Sequence, residues 1–237
     1  MTATTTRTDL HRLCAHVLAR RRYDVSGRFG LRASPGGLAT PAYGDEPEVL
    51  RLDGTALVRE VGALASSMLI SGSTLRELAA FAGVDIEAPF SVGDATPPVG
   101  ATDEPLGFDE DVLAGLYAWF DLGSRALDDV LCELGQAAAP ATVQLWPEHF
   151  DMGTSVAIGD EGGRVNLGFS AGDSLSDEPY AYVGPWGPER PGDAAFWNAP
   201  FGALRTRSDV TAAPGEAVVV AAAFIREGLA RLDKSDA

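Results

Sequence analysis

The spacing of apolar residues predicts a helix near the start of the chain. Five apolar positions have the i, i+3, i+4, i+7, i+8 spacing of one helical face: Leu10, Leu13, Cys14, Val17 and Leu18. Three arginines, Arg20, Arg21 and Arg22, fall in the last turn, where positive charge interacts favourably with the helix dipole. Such a triplet is either a solvated helix end or an anion-binding cluster, and the sequence leaves both interpretations open.

Two further helices are predicted in the first half of the chain. One rests on four apolar residues at helical spacing: Leu57, Val61, Leu64 and Met68. Gly72 is placed to end that helix. The pattern Thr74-x-x-Glu77 is typical of a capping box and predicts a short helix that ends at Gly83.

A long central helix and a C-terminal helix are predicted in the second half. Asp109 suits the N-cap of the central helix, and a stripe of large apolar residues continues from Leu113 to Leu134. Gly123 and Ser124 lie in the middle of this stripe and permit either the close approach of a neighbouring element or a small kink. The last helix is predicted over residues 215–232.

Between the helices the apolar period falls to two, which predicts strands. The predicted strands cover residues 28–32, 38–43, 49–52, 142–146, 154–158 and 164–169, with one more around Tyr180 and Tyr182. The segments 154–158 and 164–169 are predicted to pair as a hairpin. Helices and strands are grouped along the chain, which predicts an α+β fold of antiparallel β-sheet packed with about five helices.

The whole chain, residues 1–237, is predicted as a single α+β domain. One stretch, residues 88–108, is rich in Pro, Gly and Asp and has no clear period. It is predicted to be a long surface connection or a lid, and it is the one plausible internal boundary.

The charge balance excludes several classes of partner. The chain has 18 basic and 34 acidic residues and a net charge of −16, which disfavours binding to nucleic acid and to anionic membrane surfaces. It contains no apolar stretch of about 18 residues and no apolar signal segment after its first residues. Two cysteines form no disulfide framework. These features together predict a reduced, cytoplasmic protein with neither nucleic acid nor membrane as partner.

The richest cluster of chemically active side chains lies at the end of the strand over residues 142–146. Its sequence is Trp146-Pro147-Glu148-His149-Phe150-Asp151. His149 is the candidate general acid or base because the pKa of a free imidazole is about 6.5. Asp151 or Glu148 would orient His149 or share a metal with it. The alternative is a strand-end turn in which Trp146 and Phe150 pack inward.

Aromatic residues supply the candidate binding surface. The predicted substrate-binding residues are Trp146, Phe150, Tyr180, Tyr182, Trp186 and Asn166. Tyrosine and tryptophan combine a large apolar area with a polar group, so a sheet face that carries them can line a ligand pocket. The alternative is an aromatic mini-core beneath a loop-rich region.

Several short aromatic motifs resemble a known family. The helix that starts at Phe108-Asp109 is followed by Trp146, Phe150-Asp151, Gly168-Phe169 and Tyr180-Ala181-Tyr182. This order is similar to that of the uncharacterised bacterial family DUF5996, whose members carry a Phe-Trp-Gly-Ser-Phe-Asp-like segment at the corresponding place. His149 stands where that pattern has a small polar residue. The resemblance implies a fold and no activity.

Two functions from different classes follow. The sequence favours a small-molecule enzyme with an aromatic and acidic pocket, in which His149 is the acid or base. The alternative is a non-catalytic domain that binds a ligand or another protein. A metal-dependent variant, with His149, Asp151 and Glu148 as ligands, is a third hypothesis. The substrate, reaction type, cofactor and oligomeric state stay open.

Overall fold

The computed structural model describes residues 2–93, 95–159 and 162–233. The chain divides into two compact units. The first unit holds the residues up to Ala118 together with Leu145–Phe150, and the second holds Trp119–Gln144 together with the residues from Asp151 onward.

The first unit opens on helix α1, which runs through three consecutive segments, Ala3–Leu13, Cys14–Ala19 and Arg20–Ser26. The five residues of the predicted apolar face are all fully buried, so that prediction is confirmed. The middle segment is π-helical: the backbone N–H of Arg20 donates to the carbonyl of Ala15, five residues back. Such wide turns are frequent at functional sites. Gly27, with a φ of 68°, ends the helix.

An antiparallel five-stranded sheet follows, with its strands in chain order. Its strands are β1 (Arg32–Ser34), β2 (Gly37–Ala39), β3 (Glu48–Asp53), β4 (Ala56–Val61) and β5 (Leu64–Leu69). Helix α2 (Leu75–Ala82) comes next. Both hydrogen bonds of the predicted Thr74–Glu77 capping box are present, and Gly83 ends the helix in the left-handed conformation.

The helix predicted over residues 57–68 is wrong, because β4 and β5 form a hairpin there. In its register Leu57 lies opposite Met68, and Val61 lies opposite Leu64. Side chains two residues apart share a strand face, so these four apolar residues also line one face of a hairpin. Their spacing satisfies both structures, and Gly62, at a φ of 58°, forms the turn.

The second sheet also has five antiparallel strands, in the order β10-β9-β8-β7-β6. Its strands are β6 (Gln144–Trp146), β7 (Asp151–Ile158), β8 (Gly163–Ser170), β9 (Tyr180–Pro185) and β10 (Ala203–Thr206). The predicted hairpin is confirmed, since Thr154 pairs with Leu167 in β7 and β8. Residues 160 and 161 of its predicted turn lie outside the described residues.

Three more helices complete the described chain: α3 (Glu110–Leu134), α4 (Arg207–Ala212) and α5 (Ala217–Asp233). A short 3-10 turn covers Gln136–Ala138. The predicted N-cap is present, because the Val112 N–H donates to Asp109 Oδ1 at 3.2 Å. The long helix and the C-terminal helix are therefore confirmed.

The α+β class is confirmed by two antiparallel sheets and five α-helices among the described residues. Residues 88–108 belong to the first unit and carry no helix or strand in their described part. That the whole chain is one domain stays a prediction. None of the helices in the described ranges has the length and apolar character needed to cross a membrane.

Candidate functional site

The cluster that contains His149 begins in a tight turn of the first unit, at the end of β6. The Phe150 N–H donates to the Trp146 carbonyl at 2.8 Å, and Phe150 has a left-handed φ of 54°. Phe150 is buried, and the His11 ring stacks on it with a centroid distance of 4.9 Å and an interplanar angle of 9°. His11 Nε2 lies 2.7 Å from the carbonyl oxygen of Pro147, which can only accept, so His11 is the donor.

Burial determines the charge of His11. It lowers the pKa of His11 to about 4, and the hydrogen bond to Pro147 opposes that shift only in part. The imidazole is therefore neutral at pH 7 and carries its proton on Nε2. His11 joins the turn to α1, a contact that the sequence analysis did not predict.

The three predicted catalytic residues have different environments. His149 is exposed and has no hydrogen bond or ion pair to any other described residue. Glu148 is buried in the same turn. Asp151 belongs to the second unit, where it accepts a short hydrogen bond from the Tyr182 hydroxyl. No carboxylate orients His149 within the described chain, and its catalytic role stays a prediction.

The predicted aromatic residues of the second unit form a packed cluster. Tyr180 and Tyr182 lie 6.3 Å apart on β9, and both rings contact Phe201. Each hydroxyl is held by a carboxylate, since Tyr180 donates to Asp173 at 2.6 Å and Tyr182 donates to Asp151. Burial, followed by the nearby negative charge, raises the pKa of Tyr182, so its phenol stays protonated. This geometry is typical of an aromatic mini-core.

Two predicted binding residues of the second unit pair with each other. Trp186 is 65% exposed, and its Nε1–H donates to Asn166 Oδ1 at 2.8 Å. The Arg164 guanidinium lies over the Trp186 ring at 5.8 Å. Trp146 belongs to the first unit, where its half-buried ring lies 6.1 Å from that of Phe29. A role of these residues in substrate binding stays a prediction.

A cavity of about 450 Å³ lies elsewhere in the first unit, between α1 and residues 86–102. Side chains of α1 form one wall, and the other wall includes Ile86, Phe90, Pro97 and Val99. The volume is in the range of small-molecule sites. All the lining residues belong to one unit of the fold.

Arg20 is the notable residue of this cavity. Only 4% of it is exposed, and its guanidinium makes no hydrogen bond within the described chain. Arg20 Nε forms a long ion pair with Asp24 Oδ2 at 3.8 Å, which is beyond hydrogen-bond distance. The guanidinium lies over the Phe90 ring at 5.4 Å from its centroid. A buried polar atom without a hydrogen bond, such as Arg20 Nε, costs folding free energy, and in native proteins such an atom has a functional role or is satisfied by a bound water or ion.

The neighbouring arginines, by contrast, have partners. Arg21 binds both carboxylate oxygens of the buried Glu48, at 3.1 and 2.8 Å. Arg22 donates to the Gly30 carbonyl. Arg12 donates to the Val99 carbonyl at 2.8 Å and forms an ion pair with an aspartate of α1 at 3.0 Å. Of these four arginines, Arg20 is the one that donates no hydrogen bond to a described residue.

His16 lies one helical turn before Arg20 and also lines the cavity. Its Nε2 lies 2.7 Å from the Pro97 carbonyl, so it donates there. Burial is the main cause that lowers the pKa of His16, and the positive charges of Arg20 and Arg12 add to it. His16 is therefore neutral, and it anchors the loop opposite Arg20.

The sequence indicates two parts of this cavity, the arginine triplet and residues 88–108, but nothing in it shows that they meet. It leaves an anion site at the arginine triplet as one of two interpretations, and it predicts a connection or a lid over residues 88–108. The one feature of the sequence that sets residues 88–108 apart is their content of Pro, Gly and Asp without a regular period, and this feature does not show which helix they pack against. Which arginine is buried without a hydrogen bond depends on Glu48 and Gly30, and their positions are set by tertiary structure.

The described residues contain no group of three His, Cys, Asp or Glu side chains that could hold a metal ion. Among the described residues, His149, Asp151 and Glu148 therefore do not form such a group. A comparison with family models, curated proteins and solved structures finds no match. The resemblance to DUF5996 stays a prediction.

Proposed function

We propose that the protein binds a small anionic molecule in the cavity between α1 and residues 86–102, with Arg20 as the residue that binds the negative charge. The observation that carries this proposal is the buried Arg20 guanidinium, which has no hydrogen-bond acceptor among the described residues. An anion would supply that acceptor, and hydrogen bonds between charged groups are the strong ones. The proposal develops the ligand-binding alternative of the sequence analysis.

The wall opposite Arg20 is anchored from two helices. From α1, His16 and Arg12 hold the carbonyl groups of Pro97 and Val99. From α2, Arg76 forms ion pairs with Glu87 at 2.6 Å and with Asp103 at 2.5 Å. A site that is held in place before binding loses less entropy when the ligand arrives.

The test is a thermal-shift titration of the full chain with acetate, benzoate, sulfate and phosphate. We expect at least one anion to raise the melting temperature of the wild type saturably, because binding to the folded state alone stabilises it. Arg20→Gln should abolish the shift. Arg28→Gln is the matched control, since it removes the same charge from an exposed position of the first unit. No saturable shift, or an equal shift in Arg20→Gln, would overturn the proposal.

A further inference from the structure

We infer that the cavity accepts a small organic monocarboxylate in preference to phosphate, sulfate or a polyanion. This inference rests on the proposed function and adds the chemical class of the ligand. The evidence for it is the number and the position of the charged side chains at the cavity among the described residues, above all Arg20, Asp24 and Glu87.

Arg20 is the one arginine among the described residues that line the cavity. It donates no hydrogen bond to a described residue and has only the distant Asp24 carboxylate, 3.8 Å from its Nε, whereas Arg12 is held by the Val99 carbonyl and by Asp9. His16 has a lowered pKa and donates its Nε2–H to the Pro97 carbonyl, so it adds no charge. One cation balances one anionic charge, and a second buried negative charge would have no partner.

Negative charges near Arg20 strengthen this limit. Asp24 Oδ2 lies 3.8 Å from Arg20 Nε, and Glu87 is one of the lining residues, although Arg76 pairs with it. A phosphate group carries about 1.5 to 2 negative charges at pH 7, so both carboxylates would repel it more strongly than a monoanion. The net charge of −16 on the whole chain acts in the same direction.

The geometry of arginine favours a planar anion. A guanidinium presents its N–H groups as a fork that matches the two oxygens of a carboxylate. No described acceptor takes any of the N–H groups of Arg20. Contact with the Phe90 ring holds the guanidinium in place without using those donors.

The rest of the cavity suits an organic body attached to the carboxylate. Its volume of about 450 Å³ is far larger than a lone carboxylate needs. The lining combines apolar side chains, Ile86, Phe90 and Val99, with the hydroxyl groups of Ser91 and Thr96. A ligand of mixed polarity fits such walls better than a bare inorganic ion does.

Isothermal titration calorimetry of the full chain tests this inference, with benzoate, its neutral isostere benzamide, acetate and inorganic phosphate as probes. We expect benzoate to bind the wild type at least about ten-fold more tightly than benzamide and phosphate. Of these three probes, only benzoate carries a single negative charge on a planar carboxylate. Acetate should bind more weakly than benzoate. Arg20→Gln should weaken benzoate binding by about ten-fold or more, while Arg28→Gln should leave it unchanged.

Each other outcome is decisive. Phosphate binding as tightly as benzoate, and lost in Arg20→Gln, would overturn the monocarboxylate and leave the proposed function standing. Equal binding of benzamide and benzoate would also overturn the inference. If none of the four probes binds, both the monocarboxylate inference and the proposed anion-binding function are overturned. The comparison of probes on the wild type needs no variant, so it holds even if Arg20→Gln fails to fold.

Discussion

The imidazole of His11 stacks on the ring of Phe150, with the two rings 4.9 Å apart and 9° from parallel. The same imidazole donates to the Pro147 carbonyl at 2.7 Å. These two contacts attach the turn after β6 to α1, and they hold Phe150 at its left-handed φ of 54°. His11 therefore supports the turn that carries His149.

Replacing His11 tests this structural role. We expect His11→Ala to lower the free energy of unfolding by about 2 kcal/mol, because it removes a half-buried hydrogen bond and a ring contact. His149→Ala is the matched control in the same turn, and it should change the free energy by less than about 0.5 kcal/mol because His149 is exposed. Urea denaturation measures both. Equal effects of the two substitutions would show that the His11 contact contributes nothing.

The pH dependence of stability has a definite sign. The folded state lowers the pKa of His11 to about 4, whereas the unfolded value is about 6.5. The unfolded chain therefore binds more protons between these values, and the contribution of His11 is complete above pH 6.5 and is lost as the pH falls toward 4.

The size of this effect is measurable by comparing variants. We expect His11→Gln to reduce the slope of unfolding free energy against pH in that window, by at most about 1.4 kcal/mol per pH unit. Lowered pKa values elsewhere, such as that of His16, contribute equally to both proteins. Parallel slopes for the wild type and His11→Gln between pH 4.5 and 6.5 would contradict the account.

Adjacent arginines should respond to substitution in opposite directions. In the absence of an added anion, Arg20→Met should raise the free energy of unfolding by about 1 kcal/mol, because it removes a buried charge that lacks hydrogen bonds. Arg21→Met should lower it by about 2 kcal/mol, because it takes one of the two arginine partners from the buried Glu48. Guanidinium chloride denaturation gives both values. A loss of stability in Arg20→Met as large as that in Arg21→Met would make Arg20 a structural residue.

A close contact in the second unit explains the small residue in the middle of α3. A Cβ atom at Gly123 would lie 2.6 Å from Cγ of Phe169, a fully buried side chain of β8. We expect Gly123→Ala to lower the melting temperature and to cost about 2 kcal/mol, because the packed ring must move. Ser124→Ala, at the next position of the helix, should cost less than about 0.5 kcal/mol. Similar melting temperatures for both variants would mean that the contact relaxes freely.

Much of the fold could be predicted because local signals and tertiary structure agree. The Thr74–Glu77 capping box and the glycine at position 83 each specify one local conformation, and Val165, Leu167 and Phe169 of β8 are buried as their spacing predicts. The hairpin of β4 and β5 could not be predicted in this way. Its apolar residues satisfy helical spacing and hairpin pairing equally well, and only the turn at Gly62 distinguishes the two.

The candidate site was predictable in its parts but not in its assembly. Arg20, Arg21 and Arg22 are adjacent in the sequence, and tertiary contacts then supply hydrogen-bond acceptors to Arg21 and Arg22 but, among the described residues, not to Arg20. The cluster around His149 was conspicuous because it combines several functional residue types. One of its two aromatic members, Phe150, is instead explained by packing against His11, a residue more than a hundred positions away.

The most direct test of the central claim is a nitrogen-15 NMR titration that observes the arginine Nε–H groups while benzoate is added. The Arg20 resonance is assigned by its loss in Arg20→Gln. The account predicts that this resonance shifts saturably with benzoate, that those of Arg21 and Arg28 do not, and that benzamide leaves all three in place. An Arg20 resonance that does not move, or that moves no further than the resonances of exposed arginines, would contradict the proposal that Arg20 binds the anion.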